Sequence, residues 1–153
     1  MLGERGADKF FELEFYDDPT TGRAPVYEWI TNDLNPYQRR AIGTAMSLIL
    51  QQFGKDVCEG EYGKNLGGGL YEFRLRHDAD EIVAKFAPDK QPDNDGDQGP
   101  VLLRVFFHPH GNRLLLLLAG YDKSKDASDK REDKEIALAR KRLTEFKGRK
   151  SGG

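Results

Sequence analysis

The sequence predicts an α+β domain in which a small sheet packs against an N-terminal helix pair and a C-terminal helix. Three observations carry that expectation. Leu70 to Arg76 alternates strictly between two faces, Leu114 to Leu118 is apolar at every position, and apolar residues recur at helical spacing after Asn35-Pro36. These are the patterns of a half-covered strand, of a strand buried on both sides and of an amphipathic helix.

Phe10 to Tyr16 is rich in aromatics and alternates weakly, so it reads as a first strand, broken by Asp17-Asp18-Pro19 and Thr20-Thr21-Gly22. Pro25 suits the first turn of a helix, with Val26, Trp29 and Ile30 lining one face as far as Leu34. Asn35-Pro36 is a capping residue before a helical proline and starts a second helix. Its stripe is Ala41, Ala45, Leu48, Ile49 and Gln52, widened by Ile42 and Met46, and Gly54 is its stop. The short link makes the two helices an antiparallel pair on a sheet.

Gly67-Gly68-Gly69 reads as a turn. It is a poor phosphate cradle, because no helix follows and no Lys-Ser or Lys-Thr pair closes the motif. In the next strand Tyr71, Phe73 and Leu75 face one way and Glu72, Arg74 and Arg76 the other. Val101, Leu103, Val105 and Phe107 form one face of a further strand; Leu102, Arg104, Phe106 and His108 form its mixed opposite face. Pro109-His110-Gly111-Asn112 fits a hairpin into the apolar strand. Between Asp78 and Pro100 lie seven acidic residues and two lysines, an acidic insertion in which Glu81 to Ala87 reads as a short strand and Pro88 to Gly99 as a mobile loop. The last helix is expected to begin after Asp126 or Ser128 and run to about Lys147, packed through Ile136, Ala139, Leu143 and Phe146.

The 153 residues suit one domain, taken as 1–150 with a flexible tail at 151–153. A single cysteine, Cys58, excludes a disulfide framework and makes a reducing, cytoplasmic setting the natural reading. No signal-peptide pattern opens the chain, and the longest apolar run is far short of a membrane span. Net charge is -2, but it is unevenly spread: residues 1–100 carry 11 basic and 19 acidic side chains, residues 101–150 carry 13 basic and 7 acidic. A phosphate backbone responds to the local field, so the basic second half points to RNA, although charge runs also simply solvate a surface.

RNA can be cut within a strand by its own 2′-hydroxyl, so the protein need only orient the phosphate, help move protons and stabilise charge; no metal or other cofactor is strictly needed. Arginines supply several donors in a rigid fork, most useful when preorganised where charge develops. Arg74 and Arg104 suit that role if they share a sheet face, with Lys123 joining them from the end of the long strand. The alternative is that Arg74 pairs with Glu72 or Glu81 and Arg104 with an acid of the loop, pairs worth little at a surface. Tyr121 can stack on a base, take part in proton transfer or be an ordinary edge aromatic. Arg76, Lys125, Arg140 and Lys141 are candidate RNA contacts. His108 and His110 are possible acid–base groups, though the proposed turn holds them away from the Tyr121 end. They offer two metal ligands, but nothing at convincing spacing completes a zinc set. Cys58 reads as a small buried filler or an isolated thiol.

The order Gly69-Leu70-Tyr71-Glu72-Phe73-Arg74, Leu103-Arg104-Val105-Phe106-Phe107, Leu117-Leu118-Ala119-Gly120-Tyr121-Asp122-Lys123 and Glu135 to Leu143, with two helices before the sheet and one after, resembles the RelE/ParE superfamily of toxins. Within it the chain is most similar to the HigB-like group that includes phage Gp49-like proteins, from about Phe10 to Phe146. The resemblance implies a small antiparallel sheet with helices against it and a ribosome-dependent endoribonuclease that cuts messenger RNA during translation. It also implies a small antitoxin partner, often with a helix-turn-helix domain. By position Arg74, Arg104 and Lys123 fall on basic residues of the family's scattered site. Tyr121 stands where phenylalanine is usual, Ser124 where a second lysine is expected, and the Thr-Pro element before the last helix is absent. Two other readings stay open: a ParE-like inhibitor of DNA gyrase, and a non-catalytic phage or mobile-element interaction protein on the same scaffold.

Overall fold

The computed structural model describes residues 10–90 and 99–152. Its centre is a five-stranded sheet of order β1-β5-β4-β3-β2, comprising β1 (Glu12–Phe15), β2 (Gly63–Gly67), β3 (Leu70–Leu75), β4 (Leu103–His110) and β5 (Leu114–Asp122). Four strands are antiparallel neighbours, but β1 runs parallel to β5, with Glu12 opposite Leu114 and Phe15 opposite Leu117. The sheet is therefore mixed rather than antiparallel throughout. A chain that crosses through a helix pair before joining the sheet can place its first strand parallel to a later one, which a hairpin cannot do.

The helix pair lies on one face. The first helix is α1 (Pro25–Glu28), which widens into a π-type turn over Trp29–Asp33 closed by the Leu34 N–H on the Trp29 carbonyl. The second is α2 (Pro36–Ala45), extended by a wide turn Met46–Leu50 and the short α3 (Gln51–Phe53). Asn35 caps α2 as expected: its side chain accepts from Gln38 N at 2.8 Å, and Gln38 Oε1 accepts from Asn35 N at 3.1 Å. Losing this reciprocal cap in Asn35→Ala is expected to lower unfolding free energy by about 1 kcal/mol in denaturant titration. A 3₁₀ stretch, Gly54–Glu59, begins at Gly54, whose φ of +56° ends the preceding helix.

Three local readings are corrected. The segment read as a strand over Glu81–Ala87 is a helix, α4 (Ala79–Phe86), started by a second capping box in which the Asp78 side chain accepts from Glu81 N and the Glu81 side chain from Asp78 N. Ala79 and Ile82 are its buried positions, while Phe86 packs edge-on to Phe53 and Tyr62. Strand β2 was not expected; it pairs with β3 across the triple-glycine turn, whose three residues all have positive φ. Pro109 and His110 belong to β4 rather than to the turn, which falls at Gly111 and at Arg113 with φ of 73°. The mobile loop expected at Pro88–Gly99 falls largely on residues 91–98, outside the described residues.

The last helix, α5 (Asp129–Gly152), begins where expected, runs past Lys147 and covers the other sheet face. The central strands consequently bury both faces. Leu115, Leu117, Val105, Phe107 and Phe73 pack towards the helix pair, and Leu116, Leu118, Phe106 and Leu70 pack with Ala139 and Leu143 of α5. Gly120 faces the helix pair, and a Cβ there would lie 2.5 Å from the Trp29 ring and 3.1 Å from the Arg104 carbonyl. Among the described residues no helix is long and apolar enough to cross a membrane.

Candidate functional site

Strand register decides which polar side chains meet. Arg74 on β3 is directly opposite Arg104 on β4, and Arg104 is directly opposite Tyr121 on β5. Directly paired residues share a face, so these three form one row across the sheet. The row lies on the α5 face, since Tyr121 and Phe106 stack in parallel within the apolar cluster beneath that helix. Strand alternation puts Glu72 on the same face as Arg74, and Arg76 follows just past the end of β3.

The row is graded from open to closed. Arg76 is exposed and has no hydrogen-bond or ion-pair partner among the described residues; it lines a cleft of about 430 Å³ with Tyr37, Asp78 and Pro100. Arg74 is partly buried and its Nε donates to Glu72 Oε1 at 2.6 Å. Arg104 is 3% exposed, and its Nε and Nη1 have no hydrogen-bond partner among the described residues. Tyr121 is 1% exposed and its hydroxyl is likewise unpartnered, with the Arg131 guanidinium 5.2 Å above its ring. Arg131 is held over the ring by donating to Glu135 at 2.8 Å, so the first turns of α5 form the roof.

Burial, with repulsion from Arg74 and Arg76, pulls the Arg104 guanidinium below its usual pKa, while Glu72 opposes the shift. Burial first, then the carboxylates Glu132 and Glu72, pushes the Tyr121 phenol up to about 12; burial and a hydrogen bond to Glu145 do the same to Tyr16. Both phenols are therefore protonated donors at neutral pH. An unfolded phenol ionises at about 10, so these groups leave stability independent of pH below 10 and lower it as pH rises from 10 towards 12, where the unfolded state ionises and the folded state resists. Thermal unfolding followed between pH 9 and 12 should show that loss, and Tyr121→Phe should make it shallower. Because the Tyr121 hydroxyl is buried and unpartnered, Tyr121→Phe should also raise stability at pH 7, by about 1 kcal/mol.

Lys123 follows β5 directly. Its N–H donates to the Leu102 carbonyl, it is half-buried, and its ammonium has no partner among the described residues. The strand exit is fixed by Asp122, which accepts from Gln38 Nε2 at 2.7 Å and from the Ser124 N–H and hydroxyl. Ser124, at the position where a lysine was expected, thus closes the turn. Lys125 and Lys141 are exposed.

The remaining expected residues sit elsewhere. Arg140 donates to the carbonyls of Leu66 and Gly67 and so braces the glycine turn. His108 and His110 lie at the hairpin end of β4, paired with Leu116 and Leu114, so the strand separates them from Arg104. His108 donates through Nδ1 to the Gly69 carbonyl, and His110 through Nε2 to Glu14 at 2.6 Å; both are tied into the fold rather than facing the row. Among the described residues no group of three or more His, Cys, Asp or Glu side chains is placed to hold a metal ion. Cys58 is partly buried, and burial with nearby Glu72 pushes its thiol up to about 11, which makes it a poor nucleophile at neutral pH.

Two residues escaped the sequence reading. Arg142 is partly buried beside the Tyr16 ring and donates to the Leu118 carbonyl, next to the β4–β5 register shift. Glu72, considered only as a surface partner for Arg74, is fully buried with one carboxylate oxygen unpartnered. Its alternation with Arg74 and Arg76 was visible; that a helix would cover this polar face was not.

Comparison with protein-family models, with curated proteins and with solved structures finds no match.

Proposed function

We propose that this chain is a toxin of the RelE/ParE type that cleaves translated messenger RNA on the ribosome, its activity held in check by a small antitoxin. The observation that carries the reading is the cross-strand alignment of Arg74, Arg104 and Tyr121, with Arg76 beside it and Lys123 at the strand exit. In the reaction the RNA 2′-oxygen attacks the adjacent phosphorus and the P–O5′ bond breaks; the 2′-hydroxyl releases its proton to solvent water, the 5′-oxygen gains one, and a 2′,3′-cyclic phosphate is left. Arg74 and Arg104 would stabilise the added charge on the phosphoryl oxygens through fixed N–H donors. Tyr121, kept protonated, would supply a proton to the leaving 5′-oxygen. Arg76, Lys123 and Lys125 would hold flanking phosphates. Because RNA carries its own nucleophile, the scheme assigns the protein only orientation, charge stabilisation and proton transfer.

Arg104 and Tyr121 lie beneath the first turns of α5, so the reading requires the roof carrying Arg131 and Glu135 to yield when RNA arrives. That burial is also the specific observation favouring a second reading, in which the chain is a non-catalytic interaction protein on the same scaffold. Controlled expression beside Arg104→Ala and Lys123→Ala separates them. The leading reading expects growth arrest with rapid loss of translated messages, relieved by both substitutions. Arrest with intact messages and a DNA-damage response would point to gyrase as target. Absence of arrest would favour the interaction protein.

A further inference from the structure

We infer that Glu72 is a positioning residue of the arginine row: its buried carboxylate fixes the Arg74 guanidinium and balances the charge of Arg74, Arg76 and Arg104 without itself touching RNA. The inference rests on the RNA-cleavage reading above. Glu72 is 0% exposed, whereas a carboxylate on a two-residue polar alternation ordinarily faces water. Its Oε1 accepts from Arg74 Nε at 2.6 Å, a charge-assisted bond, while Oε2 is buried and has no hydrogen-bond partner among the described residues. Register places Glu72 opposite Phe106, one alternation step from the Arg74–Arg104 pair. Burial dominates the shifts of Arg104 and Tyr121, but the Glu72 carboxylate reaches both, favouring the charged guanidinium and the protonated phenol.

A buried carboxylate with an unpaired oxygen is costly, and a hydrophobic residue of similar size would serve packing better. What the interior gains is order among cations. Arg74 and Arg104 are directly opposed across two strands, an arrangement that like charges disfavour. Glu72 offsets that repulsion and points Arg74 by holding its Nε, which leaves the two Nη groups to meet a phosphate. The same negative charge must weaken ground-state binding of RNA, because it repels the phosphate that the arginines attract. Positioning and affinity therefore pull in opposite directions at this residue, an opposition that a purely structural carboxylate would not produce.

The test uses the purified full chain in two assays: binding of a fluorescent single-stranded RNA oligonucleotide at low salt, and cleavage of a reporter message on translating ribosomes. In Glu72→Gln the RNA Kd should fall by about 3- to 10-fold as the repelling charge is lost. In the same variant kcat should fall by about 10- to 100-fold as Arg74 loses its alignment. Glu72→Asp keeps the charge but shortens the reach, so it should bind RNA like the native chain yet lose kcat. Since the effect passes through Arg74, the double variant Glu72→Gln, Arg74→Gln should have the kcat of Arg74→Gln alone.

If the native chain cleaves no message, the RNA reading falls and this inference with it. If the native chain cleaves and Glu72→Gln keeps native kcat, or the two losses multiply, only the positioning role is overturned. Should Glu72→Gln fail to fold, the Asp variant decides: native affinity with reduced kcat supports the role, and unchanged kcat overturns it. Failure of both variants to fold would assign Glu72 to the fold alone and overturn the inference.

Discussion

Gly120→Ala is expected to destabilise the protein by about 3 kcal/mol, among the larger effects of adding a single methyl group. The residue has no unusual backbone conformation; its constraint is space. An alanine Cβ would stand 2.5 and 2.9 Å from two carbons of the Trp29 ring and 3.1 Å from the Arg104 carbonyl, distances that require the indole or the strand to move. Trp29 lies in the π-type turn that ends the first helix, and β5 is an inner strand hydrogen-bonded to both β1 and β4, so neither shifts alone. Trp29 is the sole tryptophan, and its fluorescence follows unfolding directly. Enlarging the space in Gly120→Ala, Trp29→Leu should recover part of the loss. A change below about 0.5 kcal/mol for the single substitution, the level of an ordinary surface change, would mean that the indole does not rest on β5.

Arg104→Met is expected to separate stability from activity. The native guanidinium is buried with two donor nitrogens unpartnered, so the interior bears its desolvation with little return. A methionine of similar shape removes that cost, while Glu72 keeps its bond to Arg74, and the fold should gain about 1–3 kcal/mol. If Arg104 stabilises the phosphoryl charge, the same substitution should cost about 100- to 1,000-fold in RNA cleavage. Denaturant titration gives the first number and a message-cleavage assay the second. A variant that loses stability would make Arg104 part of the packing of the core. One that gains stability and keeps activity would remove it from the site.

Much of the sheet was legible because strand alternation is local. Within β3 and β4 the face assigned to Tyr71, Phe73 and Leu75 and to Leu103, Val105 and Phe107 is the one packed on the helix pair, and the unbroken apolar run at Leu114–Leu118 is the strand covered on both sides. The Asn35-Pro36 start was legible for the same reason, since a capping box is complete within four residues. The second box, at Asp78 and Glu81, was equally present, but Ile82-Val83 between charged residues also fits a short strand. What settles the segment is tertiary: Ile82 is buried in the helix-pair core and Arg40 of α2 pairs with Asp80. Strand β2 had no apolar alternation to announce it, because Gly63 serves by being small: a Cβ there would meet Val57, the Glu72 carbonyl and Cys58. The parallel pairing of β1 depends on a partner a hundred residues away and leaves no local mark.

The candidate site was legible to the same depth. Arg74 and Arg104 were singled out by residue type and, chiefly, by the family resemblance, and Tyr121 as one of several readings of an aromatic; their alignment follows from register, which hairpin pairing then supplied. Their burial did not follow, because it depends on where α5 lands. The same landing makes Arg140 a brace for the glycine turn, although its charge and position suggested an RNA contact.

The central claim is that Arg74 and Arg104 grip one phosphodiester together. Nitrogen-15 NMR of the arginine Nε–H groups, with a short single-stranded RNA titrated into the full chain, reads that contact residue by residue. The Arg74 and Arg104 resonances should shift together, at the same RNA concentration, while Arg23 and Arg149, held in surface ion pairs, stay in place. Saturating RNA that moves surface arginines and leaves both resonances of the row unchanged would contradict the joint grip.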